Sequence, residues 1–161
     1  MKKAFTMIEL IFVIVILGIL AAVALPKFIG VAGQAHEGNL KSFTGTLNRT
    51  VAPTLWSESI SAGKNGDISY TNLTESNITT YVDLPKEIDK VDLSKCNDPK
   101  KDIVSIQIDE NVTGSDYVIT CRDGNANQSP VFKLFKCSNN PCGISDGTEI
   151  NSSTSGVKEV K

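Results

Sequence analysis

The most informative segment is Met1-Lys2-Lys3-Ala4-Phe5-Thr6-Met7-Ile8-Glu9-Leu10, followed by the uncharged run from Ile11 to Leu25. A helix from Thr6 to Leu25 would be ~30 Å long at ~1.5 Å per residue, which is enough to cross a bilayer. Lys2 and Lys3 are expected to remain on the cytoplasmic side. The stretch therefore predicts one membrane-spanning helix, with the rest of the chain on the opposite side.

Glu9 is the one charge within the apolar stretch from Phe5 to Leu25. A carboxylate in a membrane helix costs roughly 2.5 kcal/mol or more, so such a group usually has a partner and a function. Cleavage between Ala4 and Phe5 would create a new amine about one helical turn from Glu9. In a bundle, Glu9 could pair instead with the amine of a neighbouring chain and set its axial register. The alternative is that Glu9 snorkels to the interface or stays protonated.

A conventional secretory signal is the competing interpretation of this segment. Ala22-Val23-Ala24 imitates the small-x-small cleavage site of such signals. Two features argue against it. Glu9 lies inside the apolar core, where a signal normally carries no charge, and the apolar pattern continues as a helix beyond Pro26.

Ala4-Phe5-Thr6-Met7-Ile8-Glu9-Leu10, with the long apolar run behind it, resembles the class III signal of type IV pilins and type II secretion pseudopilins. The resemblance extends as far as Gly30. It implies a membrane peptidase that cuts before Phe5 and methylates the new amine. The family's glutamate then falls on Glu9 and its helix-breaking proline on Pro26. Ala4 departs from the family, which usually has glycine there.

This resemblance implies a structural subunit of a type IV pilus or a type II secretion pseudopilus, and not an enzyme. Its expected partners are other pilin subunits, the prepilin peptidase, an inner-membrane assembly platform and the membrane itself. The chain would cross the bacterial inner membrane once, with its C-terminal domain in the periplasm, before extraction into a filament. Gly18 and Pro26 weaken the helix, because glycine lowers helix propensity and proline removes a donor. A helix break between them on assembly is the resulting hypothesis.

Beyond a leader at residues 1–4 and a core helix at 5–26, the pattern predicts an amphipathic helix at 27–61. Its apolar residues recur every three or four positions, at Phe28, Val31, Ala35, Leu40, Phe43, Leu47, Val51 and Leu55. Pro53 is expected to kink or end this helix, and Trp56 to anchor its end in the domain.

Residues 62–102 are expected to form a connecting region, and residues 103–161 a sheet and a disulfide region with a loose tail. Strands are predicted at Ile103–Ile108, with Val104, Ile106 and Ile108 on one face, and at Tyr117–Cys121 and Val131–Lys136. The predicted fold class is α+β and pilin-like: a long N-terminal helix on an antiparallel sheet of three to four strands.

Cys96, Cys121, Cys137 and Cys142 all follow the apolar stretch. An even number of cysteines in an exported domain favours disulfides, and four cysteines allow three pairings. Proximity in sequence favours Cys137 with Cys142 and leaves Cys96 with Cys121. A zinc site is the alternative, but the Cys137–Cys142 spacing has no matching second pair.

Composition and motifs give little support to other chemistry. The net charge of -2 argues against a nucleic-acid binder, and His36, the one histidine, is predicted to be an ordinary surface residue. No metal site or cofactor is predicted beyond two weak calcium candidates. Asp123-Gly124-Asn125 is better interpreted as a turn, and Asp146-Gly147-Thr148-Glu149 is the second.

Three segments fit an acidic-x-Asn-x-Ser/Thr pattern, centred on Asn77, Asn111 and Asn151. The pattern resembles the extended acceptor sequon of bacterial N-glycosylation, for which the asparagine must be exposed and exported. Glycosylation is therefore a hypothesis for these three residues.

Two rival functions remain from the sequence. A permanently anchored periplasmic binding protein would keep Met1 and have no need of Glu9. A secreted enzyme with a cleaved conventional signal would begin near Leu25, but the sequence offers no catalytic group for it.

Overall fold

The structure is a computed structural model that describes residues 6–113, 117–138, 144–151 and 154–161, with the backbone alone for residues 26–30, 110 and 112. The chain divides into two compact units, Met1–Ala35 and His36–Lys161. The first unit is helical where it is described, and the second combines helices with an antiparallel sheet.

Helix α1 runs from Met7 to Thr46 and so passes from the first unit into the second. Its segment Met7–Leu25 has a mean hydropathy of 3.0 and is long enough to cross a membrane. The helix is continuous through Gly18 and Pro26, so neither residue breaks it in the single chain. The loss of helix on assembly stays a prediction.

In the second unit the helix continues past Thr46, but its backbone hydrogen bonds change from the α-helical to the π-helical pattern. A π-helical turn spans Leu47–Val51, where the amide of Ala52 donates to the carbonyl of Leu47, and α2 follows at Ala52–Ser61. Proline lacks an amide hydrogen and clashes with the carbonyl four residues before it. The wider π turn directly before Pro53 accommodates both effects, so Pro53 changes the helix without ending it.

The sheet in the described residues has six antiparallel strands, more than the three to four predicted. They are β1 (Ile88–Val91), β2 (Asp102–Ile108), β3 (Tyr117–Arg122), β4 (Val131–Cys137), β5 (Glu149–Ile150) and β6 (Val157–Glu159). The order is β1-β2-β3-β4-β6, and β5 pairs with β2 at Asp102 and Ile103. The three long strands match the prediction. The additional strands are short, and β6 places part of the expected loose tail in the sheet.

The sheet buries apolar side chains on both faces. The larger cluster joins the helix residues Leu40, Leu47, Val51 and Leu55 to the sheet and the preceding loops. A smaller cluster combines Val104, Val118, Phe135 and Ile150.

Val104 and Ile106 therefore belong to different clusters, contrary to the predicted alternation. The register of β2 against β3 shifts between these two residues, because Val104 pairs with Thr120 and Ile106 pairs with Ile119. The extra residue of such a bulge moves the following side chains to the other face.

Two carboxylates link the part of α1 that lies in the second unit to the sheet: Glu87, directly before β1, and Glu37, on the helix itself. Glu87 is 5% exposed, and its Oε1 lies 2.9 Å from His36 Nδ1 and 3.2 Å from Asn39 Nδ2. His36 is the main reason that the pKa of Glu87 lies below its ordinary value. Glu37 accepts a hydrogen bond from the Tyr117 hydroxyl at 3.1 Å. His36 is thus a paired, half-buried residue and not the ordinary surface residue that was predicted.

The Cys96–Cys121 disulfide is formed, with Cα atoms 5.4 Å apart, as predicted. It links the segment before β2 to strand β3 and is completely buried. Cys137 is also disulfide-bonded, and its predicted partner Cys142 lies outside the described residues.

The end of α2 is fixed by the turn between β3 and β4. Trp56 Nε1 donates to the carbonyl of Asn125 at 2.8 Å, which confirms the predicted anchor. Gly66 has a φ of +88°, and a Cβ atom there would lie 2.4 Å from the carbonyl oxygen of Asn125. Only glycine allows this approach without strain.

Asp123 lies in the same turn and is 5% exposed. Its Oδ1 accepts hydrogen bonds from the amides of Ile68 at 2.9 Å and Gly124 at 2.8 Å. Burial nevertheless dominates and, with a smaller effect of Asp67, raises the pKa of Asp123 to about 7. A neutral side chain is therefore favoured in this turn below that pH.

The raised pKa of Asp123 predicts a pH-dependent stability. Between the unfolded value of 3.8 and the folded value of about 7, the folded chain holds a proton that the unfolded chain has lost. The free energy of unfolding should therefore fall as pH rises through this window, by up to about 1.4 kcal/mol per pH unit. Denaturant titrations followed by Trp56 fluorescence would measure it, and Asp123→Asn should be flatter. Parallel pH curves for the two proteins would contradict the assignment.

Candidate functional site

The N-terminus of α1 is capped by two side chains, those of Thr6 and Glu9, each of which contacts the backbone amide of the other residue. The Glu9 amide donates to Thr6 Oγ1 at 3.3 Å, and the Thr6 amide lies 3.5 Å from Glu9 Oε2. The Thr6 hydroxyl also donates to Glu9 Oε2 at 3.2 Å. Thr6 and Glu9 thus form a capping box, in which each side chain satisfies a backbone amide of the first turn.

Glu9 lies exposed at the end of an apolar surface. Its neighbours Met7, Ile8 and Phe12 are exposed as well. Glu9 has no ion-pair partner among the described residues of this chain. An uncompensated carboxylate next to exposed apolar side chains can be stabilised by a cation from another chain once water is excluded.

The predicted processing residues, Ala4 and Phe5, lie outside the described residues. The first described residue, Thr6, is the one whose carbonyl accepts the first helical hydrogen bond, from the amide of Leu10 at 3.3 Å. The helix therefore starts two residues after Phe5 in the sequence.

The first 25 residues match the family model described as the prokaryotic N-terminal methylation motif. The chain carries an N-terminal methylation motif. The matched range includes Ala4, Phe5 and Glu9 and ends with the apolar stretch at Leu25.

Similar curated proteins are pilus components. The type IV narrow pilus major component PilA5 of Thermus thermophilus is 42% identical over 50 residues, which are 31% of this chain and 43% of PilA5. Two type IV major fimbrial proteins FimA of Dichelobacter nodosus are 32% identical over 78 residues, which are 48% of this chain and 46% and 47% of the two relatives. The chain thus spans less than half the length of these relatives. No solved structure matches the chain.

The second calcium candidate places its carboxylates against lysines. Asp146 forms an ion pair with Lys90, and Glu149 forms one with Lys101 at 3.0 Å. Both pairs attach the segment around β5 to the sheet. A calcium ion would have to displace these ammonium groups, so the arrangement disfavours calcium. The described residues contain no cluster of three or more histidines, cysteines or acidic side chains suited to a metal.

The three asparagines Asn77, Asn111 and Asn151 are all exposed and belong to the second unit. Each lies outside the strands, although Asn111 is in the short helix α3, Glu110–Thr113.

Sequence reasoning identified Glu9 but overlooked its partner Thr6. The signal was present, because Thr6-Met7-Ile8-Glu9 has the Thr-x-x-Glu spacing of a capping box.

The capping box predicts a local effect of Thr6→Ala. The amide of Glu9 loses its acceptor, and an N-cap replacement of this kind costs about 1 kcal/mol. Hydrogen exchange at that amide should be about fivefold faster in the full chain in detergent micelles, as follows from 1 kcal/mol.

Thr6→Ser is the matched control, because serine also caps and should keep the slow exchange. Equal exchange rates in the alanine and serine variants would show that the Thr6 hydroxyl does not cap the helix.

Proposed function

We propose that this chain is a structural subunit of a type IV pilus, made as a prepilin and assembled into a helical filament. The observation that carries the proposal is the methylation motif, which places Glu9 near the start of a continuous apolar helix. The names of the similar proteins, a pilus component and two fimbrial proteins, favour a pilus over a secretion pseudopilus.

Processing is proposed at the Ala4–Phe5 bond. A prepilin peptidase of the inner membrane removes residues 1–4 and methylates the amine of Phe5. Removal of Lys2 and Lys3 takes away the charges that hold the leader at the cytoplasmic surface. The chain remains in the inner membrane through Met7–Leu25, with its second unit in the periplasm.

Assembly is proposed to use the charge of Glu9. The new amine at Phe5 of one chain pairs with Glu9 of its neighbour, because both charges are costly in an apolar environment when unpaired. Since a slip of one helical turn would separate the pair, this contact sets the axial register. An inner-membrane platform extracts the subunits, and a separate motor supplies the energy.

The apolar face of Met7–Leu25 changes partners in this process. In the membrane it contacts lipid, and helices gain little by associating there. In a filament outside the membrane the same side chains leave water by packing against one another. The buried disulfide between Cys96 and Cys121 suits the second unit to the oxidising space beyond the inner membrane.

Two variants separate the charge of Glu9 from its capping role. Glu9→Gln removes the charge but keeps an amide that can occupy the same position in a capping box. Thr6→Ala removes the cap and keeps the charge. We expect Glu9→Gln to reduce the chain in sheared filaments at least about tenfold, equivalent to 1.4 kcal/mol, and Thr6→Ala to assemble.

The measurement uses the native host with each variant in place of the normal gene, and quantifies the chain in filaments and in membranes. Leader removal in both variants is checked by mass, so that failed processing is not mistaken for failed assembly. Normal assembly of Glu9→Gln would contradict the proposed charge pairing. Retention of an uncut leader in the unmodified chain would contradict the prepilin proposal itself.

A further inference from the structure

The acidic-x-Asn-x-Ser/Thr pattern occurs more often than the composition explains. The chain has 12 asparagines, 18 acidic residues and 28 serines and threonines among 161 residues. A random order of these residues would produce roughly 0.2 such segments, whereas three are present. The excess favours a shared role for the acidic residue, the asparagine and the hydroxyl residue in these segments.

The structure separates accessible from inaccessible asparagines. Asn48-Arg49-Thr50 has the simple Asn-x-Thr sequence but lies in the helix, and its residue at the acidic position is Thr46. Both side-chain atoms of Asn48 bind Phe132: Nδ2 donates to the carbonyl at 2.8 Å and Oδ1 accepts from the amide at 2.8 Å. Asn48 joins the helix to the sheet and is unsuited to modification.

Asn77 has the opposite environment. It is exposed, and the residues at the acidic and hydroxyl positions, Glu75 and Thr79, are exposed as well. Its Oδ1 accepts a hydrogen bond from the amide of Thr74 at 2.6 Å. Among the described residues, its Nδ2 contacts only the carbonyl of Asn72, at 3.5 Å. The nitrogen that would carry a sugar is therefore held by a single weak contact.

The turn that contains Asn77 is held in place by its neighbours in the sequence. Ile78, the residue after the exposed Asn77, is completely buried in the larger apolar cluster. Thr74 pairs with Asp92 in an isolated antiparallel β-bridge of the backbone. Glu75 Oε2 accepts a hydrogen bond from the amide of Val91 at 3.3 Å. The segment is thus presented outward on a defined turn.

Asn111 and Asn151 are less favourable in the folded chain. Asn111 Nδ2 donates to Asp109 Oδ1 at 3.0 Å, and the following hydroxyl residue, Thr113, is only 5% exposed. Asn151 Oδ1 receives a hydrogen bond from Thr154 at 3.3 Å, and its sequon residues 152 and 153 lie outside the described residues.

We propose that Asn77 is the acceptor of an N-linked glycan. The sugar donor is a lipid-diphosphate-linked oligosaccharide, and a membrane transferase of the host catalyses the step. Asn77 Nδ2 attacks the anomeric carbon of the first sugar, and the bond from that carbon to the diphosphate oxygen breaks. The lipid diphosphate leaves with the electron pair, and Nδ2 gives one proton to a base of the transferase.

The proposal rests on the proposed function in one respect, because the second unit must be exported before the transferase can reach it. Acceptor asparagines of this type lie in surface loops of exported proteins. Asn77 belongs to the second unit, which follows the predicted membrane span.

Peptide mass spectrometry of the full chain from its native host tests the proposal. The peptide with Asn77 should carry a hexose- or hexosamine-containing mass, and the intact protein should be heavier than the bare polypeptide. Asn77→Gln, Thr79→Ala and Glu75→Ala should each lose this mass. Asn127→Gln is the matched control, since Asn127-Gln128-Ser129 is exposed as well but has Asn125 at the acidic position.

The N-terminal peptide of the same digest separates the two proposals. A chain that begins at Phe5 with an unmodified Asn77 peptide would overturn the glycosylation and leave the filament function intact. A glycan on Asn111 or Asn151 alone, or one that persists in Asn77→Gln, would overturn the assignment to Asn77.

Discussion

Glu9 places one negative charge in an apolar helix that is otherwise uncharged from Phe5 to Leu25. A carboxylate in such surroundings needs a partner, and within the described part of the chain Glu9 bonds only to the hydroxyl and amide of Thr6. These hydrogen bonds begin the helix and hold the carboxylate in position, but they do not neutralise it. The requirement for a cation explains why a filament subunit would need both a new amine and a neighbouring chain.

The second unit has a packed core of its own that does not depend on that contact. Its helix packs on a sheet through Leu40, Leu47 and Leu55, and the π turn allows Pro53 within a helix that continues to Ser61. The loops that follow α2 are fixed by the buried Cys96–Cys121 disulfide and by Asn125, which Gly66 approaches closely and to which Trp56 donates a hydrogen bond. Exposed residues on these loops, Asn77 among them, are therefore presented at defined positions.

The sequence predicted features with a strong local signal. The apolar run, the three long strands and the Cys96–Cys121 pair were predicted, because each depends on periodicity, composition or an even number of cysteines. The short strands β1, β5 and β6 could not be predicted, since two to four residues carry no periodicity and pair only because longer strands lie beside them.

Longer-range contacts limited the prediction of details. The bulge between Val104 and Ile106 follows from pairing with β3 and not from the alternation within β2. The pairing of His36 with Glu87 joins residues 51 positions apart, so no local pattern indicates it. At the candidate site the charge of Glu9 was evident in the sequence, whereas its hydrogen bonds with Thr6 required the geometry.

The mass of the N-terminal peptide from native membranes and sheared filaments tests the central claim most directly. We predict a chain that begins at Phe5 with a methylated amine, because this cleavage would place a new cation close to Glu9 in the sequence. A chain that retains Met1 in a host with an active peptidase, or one that begins near Leu25, would contradict it.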